Sequence, residues 1–209
     1  MEGRRIGKWD ISSQIFNLTV AESVVSVSQS EVVYTVDRKG QWMITAHRLR
    51  IGDKTELHTL LKSTTPITHF KVSEGGKYIV ASAGQRLMVG ITSEPNPPVL
   101  RDISYSWREM ECSEYITSLD ARLNNENAGV PDAKPSKSAS SGSRNPRPLN
   151  IAVGGLKGSI FVYPDLLGKL IRKEKKPNAS APVAQRLHWH RNGVGAVKWS
   201  MDGMYLSTL

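Results

Sequence analysis

Residues 194–206 read Val-Gly-Ala-Val-Lys-Trp-Ser-Met-Asp-Gly-Met-Tyr-Leu. Apolar residues alternate in the first half of this stretch, as they do on a half-buried β-strand. The Ser-x-Asp-Gly that follows is typical of a tight turn, and the final residues begin a second strand. The stretch therefore predicts a β-hairpin, which is a building unit of all-β folds.

The same pattern occurs earlier in the chain and aligns without a gap. Residues 67–79 read Ile-Thr-His-Phe-Lys-Val-Ser-Glu-Gly-Gly-Lys-Tyr-Ile, and weaker copies start near Val24 and Ile116. The first two steps between these copies match the roughly 40–45 residues of a four-stranded propeller blade. We therefore predict an all-β, incomplete β-propeller with about three blades and half of a fourth.

The third step is longer than a blade, and residues 124–148 account for the difference. They include four prolines and five serines but no aromatic residue, leucine or isoleucine. Such a segment cannot bury enough apolar area to offset its ordering entropy. We interpret it as a disordered insertion between the first two strands of the third blade. The propeller domain is predicted at residues 20–209, after an N-terminal segment at residues 1–19.

Short alternating segments predict the strands inside the blades, and Gly-rich turns separate them. The chain shows little helical periodicity, so only a short helical turn is expected, at Leu166–Ile171. The predicted strand pairs are Val32–Val36 with Trp42–His47, Tyr78–Ala83 with Leu87–Thr92, and Leu149–Val153 with Ser159–Tyr163, and the predicted outer strands are Leu57–Leu61 and Ser104–Trp107.

The net charge of the sequence indicates a kind of partner, and its cysteine content excludes two kinds of structural framework. Lys and Arg number 28 against 19 Asp and Glu, which gives a formal net charge of +9 and favours a polyanionic partner. The single cysteine, Cys112, excludes a disulfide framework and a zinc site built from paired cysteines. The sequence has no disulfide framework and no cleavable apolar segment of a signal peptide, so we expect an intracellular protein. No stretch has the roughly 20 apolar residues of a membrane helix, so we expect no membrane partner.

Residues 187–207 resemble the first half of a WD repeat. His190 lies where such repeats have a structural histidine, and His-Trp-His at residues 188–190 replaces the usual Gly-His. Trp199, Asp202 and Gly203 match further structural positions of the blade. Together with the divergent blades before it, this variant resembles the NET-associated nuclear protein family, the nucleolar WD-repeat subunit of the UtpA subcomplex of the small-subunit processome.

The resemblance implies a WD-repeat β-propeller that acts as a non-catalytic scaffold in the nucleus and nucleolus and needs no cofactor. Its implied partners are the other UtpA-subcomplex subunits, the 5′ external transcribed spacer of pre-rRNA and the U-three small nucleolar ribonucleoprotein particle. Its implied roles are 18S rRNA processing in ribosome biogenesis and support of transcription by RNA polymerase I. Because the family has two propellers and a helical tail, we expect this chain to be an N-terminal fragment.

A basic stretch is the main candidate for RNA contact. Clustered Lys and Arg displace counterions from a polyanion, so the stretch favours binding to RNA phosphates or a nuclear-localisation role. A solvated loop is the alternative interpretation. The candidate residues are Lys169, Arg172, Lys173, Lys175 and Lys176.

Other motifs have a structural interpretation beside the functional one. His188 and His190 could share a metal or serve the blade, and residues 154–158, Gly-Gly-Leu-Lys-Gly, could cradle a phosphate or form a hairpin turn. No residue pattern indicates catalysis, so an enzyme is not expected. A generic WD-repeat interaction adaptor without RNA binding remains the alternative function, with a propeller enzyme as the third hypothesis.

Overall fold

The computed structural model divides the chain into two compact units, Met1–Ile116 and Thr117–Leu209. We call them the first and the second unit and describe each by itself. The residues that the structure describes are 14–20, 31–49, 56–73, 76–95, 97–123, 149–175, 181–200 and 203–209.

The first unit contains two four-stranded antiparallel sheets in which neighbouring strands follow one another along the chain. The first sheet has the order β1-β2-β3-β4. Gly40, at a φ of +77°, makes the tight turn between its two central strands. The strands are β1 (Gln14–Val20), β2 (Glu31–Lys39), β3 (Gln41–Leu49) and β4 (Glu56–Ser63).

The second sheet of this unit has the order β5-β6-β7-β8. Its central strand β6 is buried along its whole length, as expected of an inner strand of a packed sheet. The strands are β5 (His69–Val72), β6 (Tyr78–Ala83), β7 (Arg86–Ile91) and β8 (Ser106–Glu111).

One apolar core joins the two sheets of the first unit. Tyr34 and Ile44 from the first sheet belong to the same buried cluster as Ile79 and Ala81 from the second. Leu100, from the connection between β7 and β8, completes this cluster. Face-to-face packing of consecutive four-stranded sheets is the arrangement that propeller blades use.

The second unit contains a four-stranded sheet in the order β12-β11-β10-β9. A helix lies between its last two strands along the chain and packs against β10. These elements are β9 (Ile116–Leu123), β10 (Leu149–Gly155), β11 (Ser159–Tyr163), α1 (Leu166–Lys175) and β12 (Gln185–His188).

A two-stranded hairpin, β13 (Val197–Trp199) and β14 (Leu206–Thr208), follows this sheet. Val194 and Val197 pack against Ala152 and Ile160 of the sheet in one buried cluster. Among the described residues the chain therefore forms three four-stranded sheets and one two-stranded hairpin. The predicted all-β class is confirmed, and three four-stranded sheets followed by a two-stranded hairpin agree with an incomplete propeller of about three blades and half of a fourth.

The structure also corrects two predictions. The first sheet begins with β1 at Gln14–Val20, so its predicted start near Val24 is wrong. The basic stretch was predicted in a loop, but all of it that the structure describes lies on α1, which is longer than the expected turn at Leu166–Ile171.

Two further sequence predictions concern the insertion at residues 124–148 and the limits of the domain. The predicted insertion at residues 124–148 lies outside the described residues, although β9 and β10 flank it as expected. The domain limits of 1–19 and 20–209 stay a prediction, with β1 lying across the boundary between them.

Candidate functional site

Helix α1 begins at a cap that Asp165 provides. The Asp165 carbonyl accepts a 3.1 Å hydrogen bond from the Lys169 N–H, and its carboxylate accepts one of 3.3 Å from the Gly168 N–H. The Asp165 N–H itself donates to the side-chain oxygen of Asn150 on β10, at 3.1 Å. The bond from Lys169 is the first i to i−4 bond of the helix, and the other two satisfy N–H groups that the start of a helix leaves without a partner.

Leucines fix the helix on the sheet. Leu166, Leu167 and Leu170 are buried, and their spacing places them on one side of a helix of 3.6 residues per turn. The opposite side therefore faces solvent. It is this fixed apolar contact, rather than a mobile loop, that determines where the basic residues point.

Arg172 and Lys175 lie on this outer side, whereas Lys169 lies between the two sides and Lys173 lies one turn after Leu170, beyond the last buried leucine. Arg172, Lys173 and Lys175 are exposed, and Lys169 is half-buried. Lys176 lies outside the described residues. We call Lys169, Arg172, Lys173 and Lys175 the basic face of α1. The structure brings these four residues together on one helix, and the three in its last turn also interact favourably with the helix dipole.

The carboxylate of Asp165 is paired with Arg172 of this face. An Arg172 Nη2 lies 3.0 Å from an Asp165 Oδ2, and both side chains are at least one-third exposed. Exposed ion pairs of this kind contribute about 0–1 kcal/mol to stability. The pair therefore matters more for the direction of the Arg172 side chain than for the fold.

The WD-type residues lie around β13 and β14. His190 Nε2 and Thr208 Oγ1 are hydrogen-bonded at 2.9 Å, so the imidazole ties the segment before β13 to β14. The backbone N–H of Trp199 donates a 2.7 Å hydrogen bond to a carboxylate oxygen of Asp120 on β9. Gly203 has a φ of +74°, which suits glycine in the turn, and Asp202 lies outside the described residues.

The two histidines of His-Trp-His have different partners. His188 Nε2 lies 3.1 Å from the carbonyl oxygen of Lys157, whereas His190 is bonded to Thr208. In the described part of the chain, no group of three or more His, Cys, Asp or Glu side chains could hold a metal ion. The arrangement gives each imidazole a structural contact of its own.

The glycine run at residues 154–158 spans the end of β10 and the turn into β11, which residues 156–158 form. The Gly158 N–H donates a 3.2 Å hydrogen bond to the carbonyl of Gly155, and Gly158 has a φ of +84°. A Cβ at Gly158 would lie 2.0 Å from the carbonyl oxygen of His190, so only glycine fits there. The hairpin interpretation agrees with these contacts.

Sequence reasoning missed a buried polar cluster in the first unit. Thr35 Oγ1 is hydrogen-bonded to His47 Nε2 at 2.9 Å, and Thr45 donates one of 3.4 Å to Asp37. Burial lowers the pKa of His47 below its usual 6.5, while the nearby Asp37 carboxylate acts in the opposite direction. The only sequence signal is the alternation of polar residues along β2 and β3, which resembles that of an exposed face.

Arg48 is a second missed residue. Its guanidinium is buried and donates to the carbonyl oxygens of Pro98 at 2.8 Å and Pro97 at 2.6 Å. Glu56 lies 3.8 Å from it and also accepts a hydrogen bond from the Leu100 N–H at 3.2 Å. Arg48 thus holds the segment that leads into β8 against the first sheet.

Two tyrosine hydroxyls meet in the same unit. Tyr34 and Tyr105 are hydrogen-bonded at 3.3 Å, and the Tyr105 hydroxyl also donates to the carbonyl of Gly76. Burial raises the pKa of both phenols above the usual value of 10.0. Both therefore stay neutral and act as fixed hydrogen-bonding groups.

No protein-family profile and no curated protein matches the chain. A chain in the crystal structure of a mitotic checkpoint complex is similar at 13% identity and a TM-score of 0.49; the match covers 100% of this chain and 54% of that one. Hsv2 from Kluyvelomyces marxianus is similar at 13% identity and a TM-score of 0.32, with 95% and 73% covered.

The chain thus spans about half the length of the matched chain of the mitotic checkpoint complex. The fold assignment rests on the sheets described above rather than on these likenesses. No helix in the described part of the chain has the length and apolar content needed to cross a membrane.

Proposed function

We propose that this chain belongs to a non-catalytic WD-repeat scaffold that binds RNA through the basic face of α1. Following the sequence resemblance, the proposed setting is the nucleolus, as a UtpA-subcomplex subunit of the small-subunit processome. There it would bind pre-rRNA and partner proteins during 18S rRNA processing and support RNA polymerase I transcription. The observation that carries RNA binding is the fixed basic face of α1.

The geometry of α1 supports contact with phosphates. The leucines of α1 are buried, and Arg172, Lys173 and Lys175 are exposed, so these three side chains extend into solvent from a rigid base. Lysine ammonium groups bind phosphate as point charges and do not read base edges. We therefore expect binding that depends strongly on salt and little on sequence.

Charge reversal on α1 tests the proposal. Lys169→Glu, Lys173→Glu and Lys175→Glu, combined in one variant, should weaken binding of the chain to all RNA sequences alike. The slope of log affinity against log salt should fall by about 0.7–0.9 for each phosphate that the variant no longer binds. Fluorescence anisotropy titrations at several salt concentrations measure both quantities.

A matched control separates the helix from net charge. Lys39, Lys62 and Arg101 are exposed basic residues of the first unit. Their combined replacement by Glu gives the same change of net charge and should preserve most of the salt slope. If the α1 variant keeps the native affinity and slope, RNA binding by α1 is refuted. If the native chain itself does not bind RNA, the adaptor without RNA binding is favoured. Loss of nucleolar localisation with unchanged RNA affinity would instead assign the face to localisation.

A further inference from the structure

A second exposed surface lies at one end of the four-stranded sheet of the second unit. Here the turn between β10 and β11 meets the segment that follows β12. The Val194 N–H donates a 3.1 Å hydrogen bond to the carbonyl of Gly155, and the His190 N–H donates one of 3.4 Å to that of Gly158. These bonds hold the two loops together.

The same segment is anchored at its far end. Val194 is fully buried, and its carbonyl oxygen accepts hydrogen bonds from Thr117 Oγ1 at 2.7 Å and from Ser118 Oγ at 3.0 Å. A Cβ at Gly154 would lie 2.2 Å from Ser118 Oγ, so the backbones approach as closely as glycine permits. The loop is therefore fixed in place before any partner arrives.

Trp189 projects from this fixed loop into solvent. Its side chain is 72% exposed, while the histidines on either side bond to Lys157 and Thr208. Adjacent side chains of an extended segment point to opposite sides, so the histidine contacts direct the indole outward. An exposed, rigidly held tryptophan offers a large flat face at little further cost in conformational entropy.

The surroundings of Trp189 are basic. Lys157 and Arg191 are exposed in the two loops, and residues 149–163 and 181–200 include no Asp or Glu. Leu156 is a large apolar side chain of these turns and is 58% exposed. We call Leu156, Lys157, Trp189 and Arg191 the Trp189 patch.

We propose that the Trp189 patch binds single-stranded RNA, with an unpaired base stacked on the indole of Trp189 and flanking phosphates on Lys157 and Arg191. An exposed aromatic face with exposed cations on the same two loops suits a single strand, in which bases alternate with phosphates. A protein-docking site would call for a broader apolar area than one indole and one leucine provide. The inference rests on the proposed RNA binding and adds the strandedness of the RNA.

The patch is distinct from the basic face of α1. Strand β11 begins at Ser159 beside the patch and ends at Tyr163 shortly before α1. At about 3.3 Å per residue, the two surfaces lie at opposite ends of a strand roughly 15 Å long. The two can therefore be tested by separate variants.

Trp189→Leu is the deciding variant, with a labelled single-stranded oligouridylate and an abasic oligomer of the same length as probes. Base stacking predicts that it weakens binding of the oligouridylate by about tenfold and leaves binding of the abasic oligomer unchanged. Trp189→Tyr keeps an aromatic ring and should keep most of the affinity. Lys157→Gln with Arg191→Gln should lower the salt slope for both probes.

Tyr205→Leu is the matched control, because Tyr205 is an aromatic residue of the same unit and is 70% exposed. It should not change binding of either probe. Equal affinity of the native chain and Trp189→Leu for oligouridylate overturns the inference, as does an equal loss for both probes. Binding of an acidic peptide that depends on Trp189, without such dependence for RNA, also overturns it.

The two proposals fail in different ways. If Trp189→Leu weakens RNA binding while the α1 charge reversal does not, the role of α1 is refuted and the Trp189 patch stands. If the charge reversal weakens RNA binding and Trp189→Leu does not, the Trp189 inference is refuted and the role of α1 stands.

Discussion

The backbone N–H of Ser200 donates a 2.9 Å hydrogen bond to the carbonyl of Tyr205, and the Tyr205 N–H returns one of 3.0 Å to the Ser200 hydroxyl. Ser73 and Tyr78 make the same two bonds, both at 2.9 Å. In each turn a glycine at positive φ donates to the serine carbonyl. The two copies in the sequence are therefore two copies of one hydrogen-bonded turn.

The serine hydroxyl should contribute to stability in both copies. Ser73→Ala should lower the free energy of unfolding by about 1 kcal/mol, because the Tyr78 N–H loses its acceptor. Ser200→Ala should lower it by less, since its turn is more open to water. Urea denaturation of each variant measures the effect. The exposed Ser104→Ala serves as control, and equal stability of Ser73→Ala and this control would contradict the prediction.

The hairpins could be predicted because their information is local. Alternating apolar residues and a turn with glycine at positive φ specify strand, turn and strand within about a dozen residues. The start of the first sheet was wrong because the valines near Val24 also fit the repeat, and only pairing with β2 identifies Gln14–Val20 as β1. Pairing across a sheet is not visible in a single strand.

The candidate site was only partly predictable for the same reason. The basic residues were visible in the sequence, but the helix that presents them was not, because their charges resemble those of a loop. Burial of Leu166, Leu167 and Leu170 against the sheet decides in favour of the helix. Arg48 was missed because a buried arginine is rare and its carbonyl partners, at Pro97 and Pro98, are distant in sequence.

His190 and Thr208 should be energetically coupled. Their hydrogen bond joins the segment before β13 to β14, so a double-mutant cycle with His190→Ala and Thr208→Val should give a coupling of about 0.5–1.5 kcal/mol. Chemical denaturation of the native chain, both single variants and the double variant supplies the four free energies. His188→Ala paired with Thr208→Val is the control and should show no coupling. Stoichiometric zinc in the purified chain would contradict a purely structural role for His190.

Stability should depend on pH through His47. Burial lowers its pKa in the folded chain, so the unfolded chain binds a proton first as the pH falls below about 6.5. The stabilisation is therefore complete above that pH and is lost as the pH falls toward the folded-state pKa. Denaturation of the native chain and His47→Gln between pH 7 and pH 5 should show a steeper loss for the native chain.

Asp37 provides the matched test of the same cluster. Its carboxylate opposes the lowering of the pKa of His47, so Asp37→Asn should lower that pKa further. The difference between folded and unfolded states then grows, and stability should fall more steeply with falling pH than in the native chain. An NMR titration of the His47 ring protons reports the pKa directly. A higher pKa of His47 in Asp37→Asn would show that the carboxylate does not act on it electrostatically.

Asp165→Asn tests whether the pairing of Asp165 with Arg172 limits the charge that α1 presents. Asparagine retains an oxygen for the Gly168 N–H and tolerates the φ of +48° at this position, but it lacks the negative charge. Stability should therefore change by less than about 1 kcal/mol. RNA affinity should rise, and the slope of log affinity against log salt should steepen by about 0.7–0.9, because Arg172 becomes available to one more phosphate. Asp102→Asn removes an exposed carboxylate of the first unit and is the control for net charge. If both variants change affinity and slope equally, the Asp165–Arg172 pair does not limit RNA binding by α1.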